Sequence, residues 1–211
     1  MSYSTAGVNR GGGLAMIRLW LAAVAVLSLG LLELVDGAAV RLWPLLGEAR
    51  LASLAVCLAL ALAAGAAPAL RPRPFTRRAA LVAAAWLAGT VLSLRLTGGF
   101  RKFHGVDLVA FLGTGLLAEE LLFRGALYQL ALAALPGRRL GPLAAADWIS
   151  AAAFSLAHLQ YHGYRLTPAA AAQLAVTFPM GLVLGWLRGE TRSLAAPTAV
   201  HLANNLLSQW I

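Results

Sequence analysis

The sequence predicts an all-α fold, a polytopic transmembrane helical bundle of about seven membrane helices with its N-terminus in the cytoplasm. Three observations lead there. Of 211 residues, 60% are hydrophobic and 12% charged, with a mean hydropathy of +0.76, which is more apolar surface than a water-soluble domain of this size can hide. Apolar runs recur at close to the roughly 20 residues that a helix needs to cross about 30 Å of hydrocarbon. Between them lie short stretches rich in Arg, Gly and Pro, which hydrocarbon rejects.

The elements follow in order. Residues 1–13, with Arg10 and the Gly11, Gly12, Gly13 run, read as a disordered tail, and residues 14–211 as one membrane-embedded domain. The first span, 14–35, begins like a signal peptide, but it exceeds the usual h-region and is read as retained. Residues 36–50 carry Trp43 and Pro44 and form an interfacial connection. The second span, 51–70, ends at the loop R-P-R-P-F-T-R-R, residues 71–78, where four arginines and two prolines forbid burial in lipid. A third span over 79–96 leads through a glycine turn with Arg101, Lys102 and His104 to the fourth, 106–135. Pro136 to Arg139 precede the fifth, 143–159; a polar stretch, 160–167, precedes the sixth, 168–187; and a short loop around Arg188 and Arg192 precedes the seventh, 193–211.

Counting Lys and Arg on alternate sides places ten on the side of the N-terminus and six on the other, which puts the N-terminus inside and the C-terminus outside. The net charge of +9 therefore reads as a topology signal and as contact with anionic lipid rather than with nucleic acid. The single cysteine, Cys57, lies in an apolar run and has no internal disulfide partner.

Within the fourth span, residues 116–128 read L-L-A-E-E-L-L-F-R-G-A-L-Y. A charged side chain at the bilayer centre costs about 2.5 to 3.5 kcal/mol, so Glu119, Glu120 and Arg124 must be paired, hydrated or useful. Glu120 and Arg124 are four apart with the acid first, the favourable order for an intrahelical ion pair. Glu119 is turned about 100° away, so one arginine does not serve both acids. The remaining carboxylate suits a general acid or base, or else belongs to a structural polar knot.

Two later helices add isolated polar groups. F-S-L-A-H places Phe154 and His158 on one face, and H-L-A-N-N does the same for His201 and Asn205, with Asn204 turned about 100° away, where it could as easily hydrogen-bond a neighbouring helix. A base candidate, two imidazoles and a neutral donor are the parts needed to attack an amide with water. Ser155 and Ser208 have neither a nucleophile-elbow setting nor a supporting aspartate. Glu119, His158 and His201 could form a ligand set, but no H-E-x-x-H occurs and no metal or other cofactor is indicated.

The three motifs, in this order on three expected membrane helices, resemble the CPBP family of CAAX-protease and bacteriocin-processing proteins, also called Abi. The resemblance covers residues 116–211. It implies a metal-independent, glutamate-dependent intramembrane endopeptidase opening toward the cytoplasm. Glu119 would be the water-activating base, His158 its partner in orienting the water, His201 and Asn205 the oxyanion hole, and Glu120 with Arg124 the supporting ion pair beside Phe154. The implied partners are membrane lipid and a membrane-anchored peptide or protein substrate, as in bacterial peptide maturation or myxosortase-like removal of C-terminal anchors. An Ala-, Leu- and Arg-rich chain points to a bacterial inner membrane; nothing in it sets an oligomeric state. Two other readings stay open: a catalytically silent immunity or interaction protein, and a proton-coupled transporter, since intramembrane acids and histidines also build proton relays.

Overall fold

The computed structural model describes residues 51–97 and 103–210. The expected tail at 1–13, first span at 14–35 and interfacial segment at 36–50 lie outside the described residues, as do Arg101 and Lys102 of the expected glycine turn. The described chain is helical apart from turns and one two-residue hairpin.

Helix α1, Leu51–Ala63, buries Ser53, Cys57 and Ala61, a stripe of small residues four apart that lets it lie close against the central helix. The expected span over 51–70 is shorter than its apolar run. Gly65 adopts φ +81 and turns the chain into a 3-10 turn at Ala67–Leu70, where Pro68 suits the first helical positions. Thr76 Oγ1 accepts from the Ala79 amide at 3.0 Å and caps helix α2, Arg77–Thr97. Leu81, Leu92 and Leu96 of α2 are exposed, a lipid-facing pattern for an apolar helix about 30 Å long.

The central helix α3 spans residues 105–134 without a break, but its winding alternates. Two stretches, Ala110–Thr114 and Glu120–Leu127, are π-helical, and α-helix lies before, between and after them. Such stretches are rare and concentrate at functional sites. Helix α3 touches α1, α4, α5 and α6, so what it carries is presented to most of the bundle.

After α3, a hairpin pairs β1, Arg139–Leu140, with β2, Leu143–Ala144, so the two residues expected to begin the fifth span are strand. Helix α4, Ala145–Ala157, starts where Asp147 Oδ2 accepts from the Ala144 amide at 2.7 Å, and it ends in a 3-10 turn, His158–His162. Thr167 Oγ1 and Pro168 open helix α5, Pro168–Thr191, at about 36 Å the longest α-helical run among the described residues. Helix α6, Ala195–Trp210, follows after Ser193 accepts from the Ala195 amide. Among the described residues, α2 and α5 are long and apolar enough to cross a bilayer.

Candidate active site

The site is built around the second π-helical stretch of α3. Glu120 and Arg124 are buried completely there, and Arg124 Nη1 donates to Glu120 Oε1 at 3.1 Å. Helix α6 supplies a second donor to the same oxygen: His201 Nδ1 lies 2.8 Å from Glu120 Oε1. A carboxylate there only accepts, so the Nδ1 of His201 carries the proton and its Nε2 faces the other way. On that side stands Glu119, whose Oε2 is 3.9 Å from His201 Nε2, beyond direct hydrogen-bond reach. Glu119 differs from its neighbour in access, with a quarter of its side chain exposed while Glu120 keeps 1%.

Phe154 on α4 holds the rest together. The Arg124 guanidinium sits 4.2 Å from its ring centroid, a cation–π contact that covers a charge whose Nε and Nη2 have no hydrogen-bond partner among the described residues. The edge-to-face neighbours of that ring are His158 at 4.7 Å, Phe123 at 5.5 Å and His201 at 5.7 Å. Phe154 also fixes His158 through its backbone: His158 Nδ1 lies 2.8 Å from the Phe154 carbonyl oxygen, which only accepts. In the neutral ring Nε2 therefore carries a lone pair.

Six of the residues singled out from the sequence, Glu119, Glu120, Arg124, Phe154, His158 and His201, thus form one contiguous cluster from α3, α4 and α6. Asn205 follows His201 by one turn on the buried face of α6, and its Nδ2 donates to the Phe111 carbonyl oxygen at 3.2 Å. Asn204 faces away, as its phase requires, and its Oδ1 accepts from Trp86 Nε1 and Thr90 Oγ1 on α2. Ser155 bonds to Leu174 and Thr177, Ser208 to the Asn205 carbonyl, and His162 to Gln173. Among the described residues, no three His, Cys, Asp or Glu side chains come together as a metal site.

Sequence reasoning missed how the two π-helical stretches are fastened. Phe111 in the first stretch gives its carbonyl to Asn205; in the second, Phe123 accepts from Ser150 Oγ at 2.9 Å and Arg124 from Arg188 Nε at 3.2 Å. Three helices thus hold three carbonyls of the loosened winding, meeting hydrogen-bonding capacity that regular α-helix would use internally. The arginine in this set, Arg188, was read as part of a loop.

Residues 102–207, half of the chain, match the family described as type II CAAX prenyl endopeptidase Rce1-like. No curated protein and no solved structure matches the chain. The matched segment contains all three motifs and every residue of the cluster. The chain belongs to the Rce1-like family of type II CAAX prenyl endopeptidases, and with its apolar helices it is an integral membrane protein of the protease class.

Proposed function

We propose that the chain is a glutamate-dependent intramembrane endopeptidase that hydrolyses a peptide bond in a membrane-anchored protein or peptide. The observation that carries this reading is the asymmetry of the two adjacent acids. Glu120 is spent on Arg124 and His201, whereas Glu119 is partly open and opposes an imidazole nitrogen across 3.9 Å.

The chemistry then follows from the donors and acceptors. His158 Nε2 accepts one hydrogen of a water, and Glu119 takes the other proton as the oxygen attacks the scissile carbonyl. The oxyanion that forms needs donors already in place. Asn205 Nδ2 has one hydrogen on the Phe111 carbonyl and a second to give. His201 has committed its Nδ1 hydrogen to Glu120, so its Nε2 donates when the ring carries a second proton. Collapse of the tetrahedral intermediate breaks the C–N bond, and the proton held by Glu119 passes to the leaving amine.

The excess of arginine on one side supports a cytoplasmic N-terminus, and the composition supports a bacterial inner membrane as the location. The test is hydrolysis of a panel of lipid-tethered and helix-anchored peptides by the purified chain in nanodiscs, read by mass spectrometry. Cleavage is expected in the wild type, is lost in Glu119→Gln and His158→Ala, and persists with a strong chelator. Undiminished cleavage by Glu119→Gln overturns the mechanism, and loss of cleavage with chelator that added metal restores would move the catalyst to a metal ion.

A further inference from the structure

A cavity of about 370 Å³ lies between the turn after α1, the C-terminal half of α3 and the end of α5. Arg73, Arg188 and Arg192 line it together with Tyr128 and Gln129, and among the described residues its wall contains no Asp or Glu. Arg188 is the informative member, because only 6% of it is exposed. Its partners are all neutral: the Arg124 carbonyl at 3.2 Å, Gln129 Oε1 at 3.5 Å and the face of Tyr128 at 5.4 Å. Arg73 acts on it as a like charge, and the adjacent acid in sequence, Glu190, accepts instead from Thr76 Oγ1 at 3.2 Å.

An arginine that only sets topology stays in the aqueous layer and needs no cavity. A buried guanidinium without a carboxylate, beside two further guanidinium groups, calls for an anion with several acceptor oxygens, which planar Arg forks bind in pairs. The cavity also includes Arg73 of the arginine-rich stretch at 71–78, which hydrocarbon rejects and anionic headgroups attract. We propose that this cavity is a phosphate-binding site, filled by the headgroup of an anionic phospholipid or by free phosphate. It touches the acid and histidine cluster through the Arg188 bond to the Arg124 carbonyl, and it does not depend on the peptidase reading.

The test titrates the full chain in uncharged detergent with short-chain phosphatidylglycerol and, separately, with inorganic phosphate, reading the unfolding midpoint and the bound mass by native mass spectrometry. A saturable upward shift is expected with at least one probe. Binding of the lipid alone identifies a headgroup site, and binding of both identifies a site for phosphate itself. Arg73 and Arg192 are exposed, so Arg73→Gln/Arg192→Gln leaves the packed interior intact, and it is expected to weaken binding at least tenfold. Arg138→Gln/Arg165→Gln removes two exposed charges outside the cavity and is expected to leave binding unchanged. No saturable binding of either probe, or equal weakening by the two double variants, overturns the proposal.

Discussion

The Nδ1 of His201 and the Oε1 of Glu120 lie 2.8 Å apart, on the same carboxylate oxygen that Arg124 holds at 3.1 Å. One buried acid therefore ties α3 to α6 and sets the rotation of the His201 ring. In Glu120→Gln the carboxylate charge is gone and Arg124, with 0% exposure, loses the counter-ion it is hydrogen-bonded to. Breaking a buried pair from one side costs about 3 to 5 kcal/mol. A clear drop in the unfolding midpoint is expected, and Glu120→Leu/Arg124→Leu should recover much of it. The double variant restores packing without restoring the hold on His201, so its cleavage stays low although its stability returns. A Glu120→Gln protein that melts like wild type would show that the pair carries no such burden.

Phe154 meets Arg124 with its face and packs in edge-to-face geometry with His158 and His201, so its size and its shape do separate things. Phe154→Leu keeps most of the apolar volume and loses the π surface, worth about 0.5 to 2 kcal/mol to a desolvated guanidinium. Stability is expected to fall by about that amount, whereas the turnover number falls at least tenfold as both imidazole rings lose their guide. Equal small effects on both quantities would reduce Phe154 to a space-filling role.

The polar side chains of the site were legible in the sequence because hydrocarbon makes them conspicuous: Glu119, Glu120, Arg124, His158 and His201 interrupt apolar runs that tolerate no idle charge. The Glu120–Arg124 pair followed from spacing alone, and the phase of Asn204 away from Asn205 was also readable. The π-helical winding of α3 was not, since no local propensity distinguishes Glu120–Leu127 from an α-helix and the stretch is held by donors from distant helices. The early end of α1 was hidden for a related reason. Apolar Ala and Leu continue to residue 70, while Gly65 and Pro68 redirect the backbone without changing hydropathy. His201 was assigned to the oxyanion hole by motif, and its bond to Glu120 needed the relative placement of α3 and α6.

Helices α4 and α5 approach closely at Gly181, where an added Cβ would stand 2.8 Å from Ala151 Cα and 3.2 Å from its carbonyl oxygen. Backbone does not yield as a flexible side chain does, so Gly181→Ala must push the helices apart. Overpacking of this kind costs about 1 to 3 kcal/mol. Gly89 on α2 supplies the control, because a Cβ there meets nothing within 4 Å among the described residues. Gly89→Ala is expected to be neutral or slightly stabilising through helix propensity. Unfolding midpoints in the same detergent compare the two, and a Gly181→Ala midpoint matching that of Gly89→Ala would mean the contact is looser than described.

Asn205 has two tasks open to it, and they make different demands. Its bond to the Phe111 carbonyl fastens the first π-helical stretch of α3, and its second amide hydrogen is free to meet an oxyanion. If fastening were its whole role, Asn205→Ala would leave one buried carbonyl unsatisfied, a stability loss of about 1 to 3 kcal/mol with little change in turnover at temperatures where the protein stays folded. Removing an oxyanion donor instead lowers kcat about 10² to 10³-fold and leaves substrate binding nearly as it was, because the charge develops only in the transition state. The expected result for Asn205→Ala is this second pattern superimposed on a modest loss of stability. Steady-state kinetics at low temperature separate the two, and a kcat within threefold of wild type there would confine Asn205 to holding Phe111.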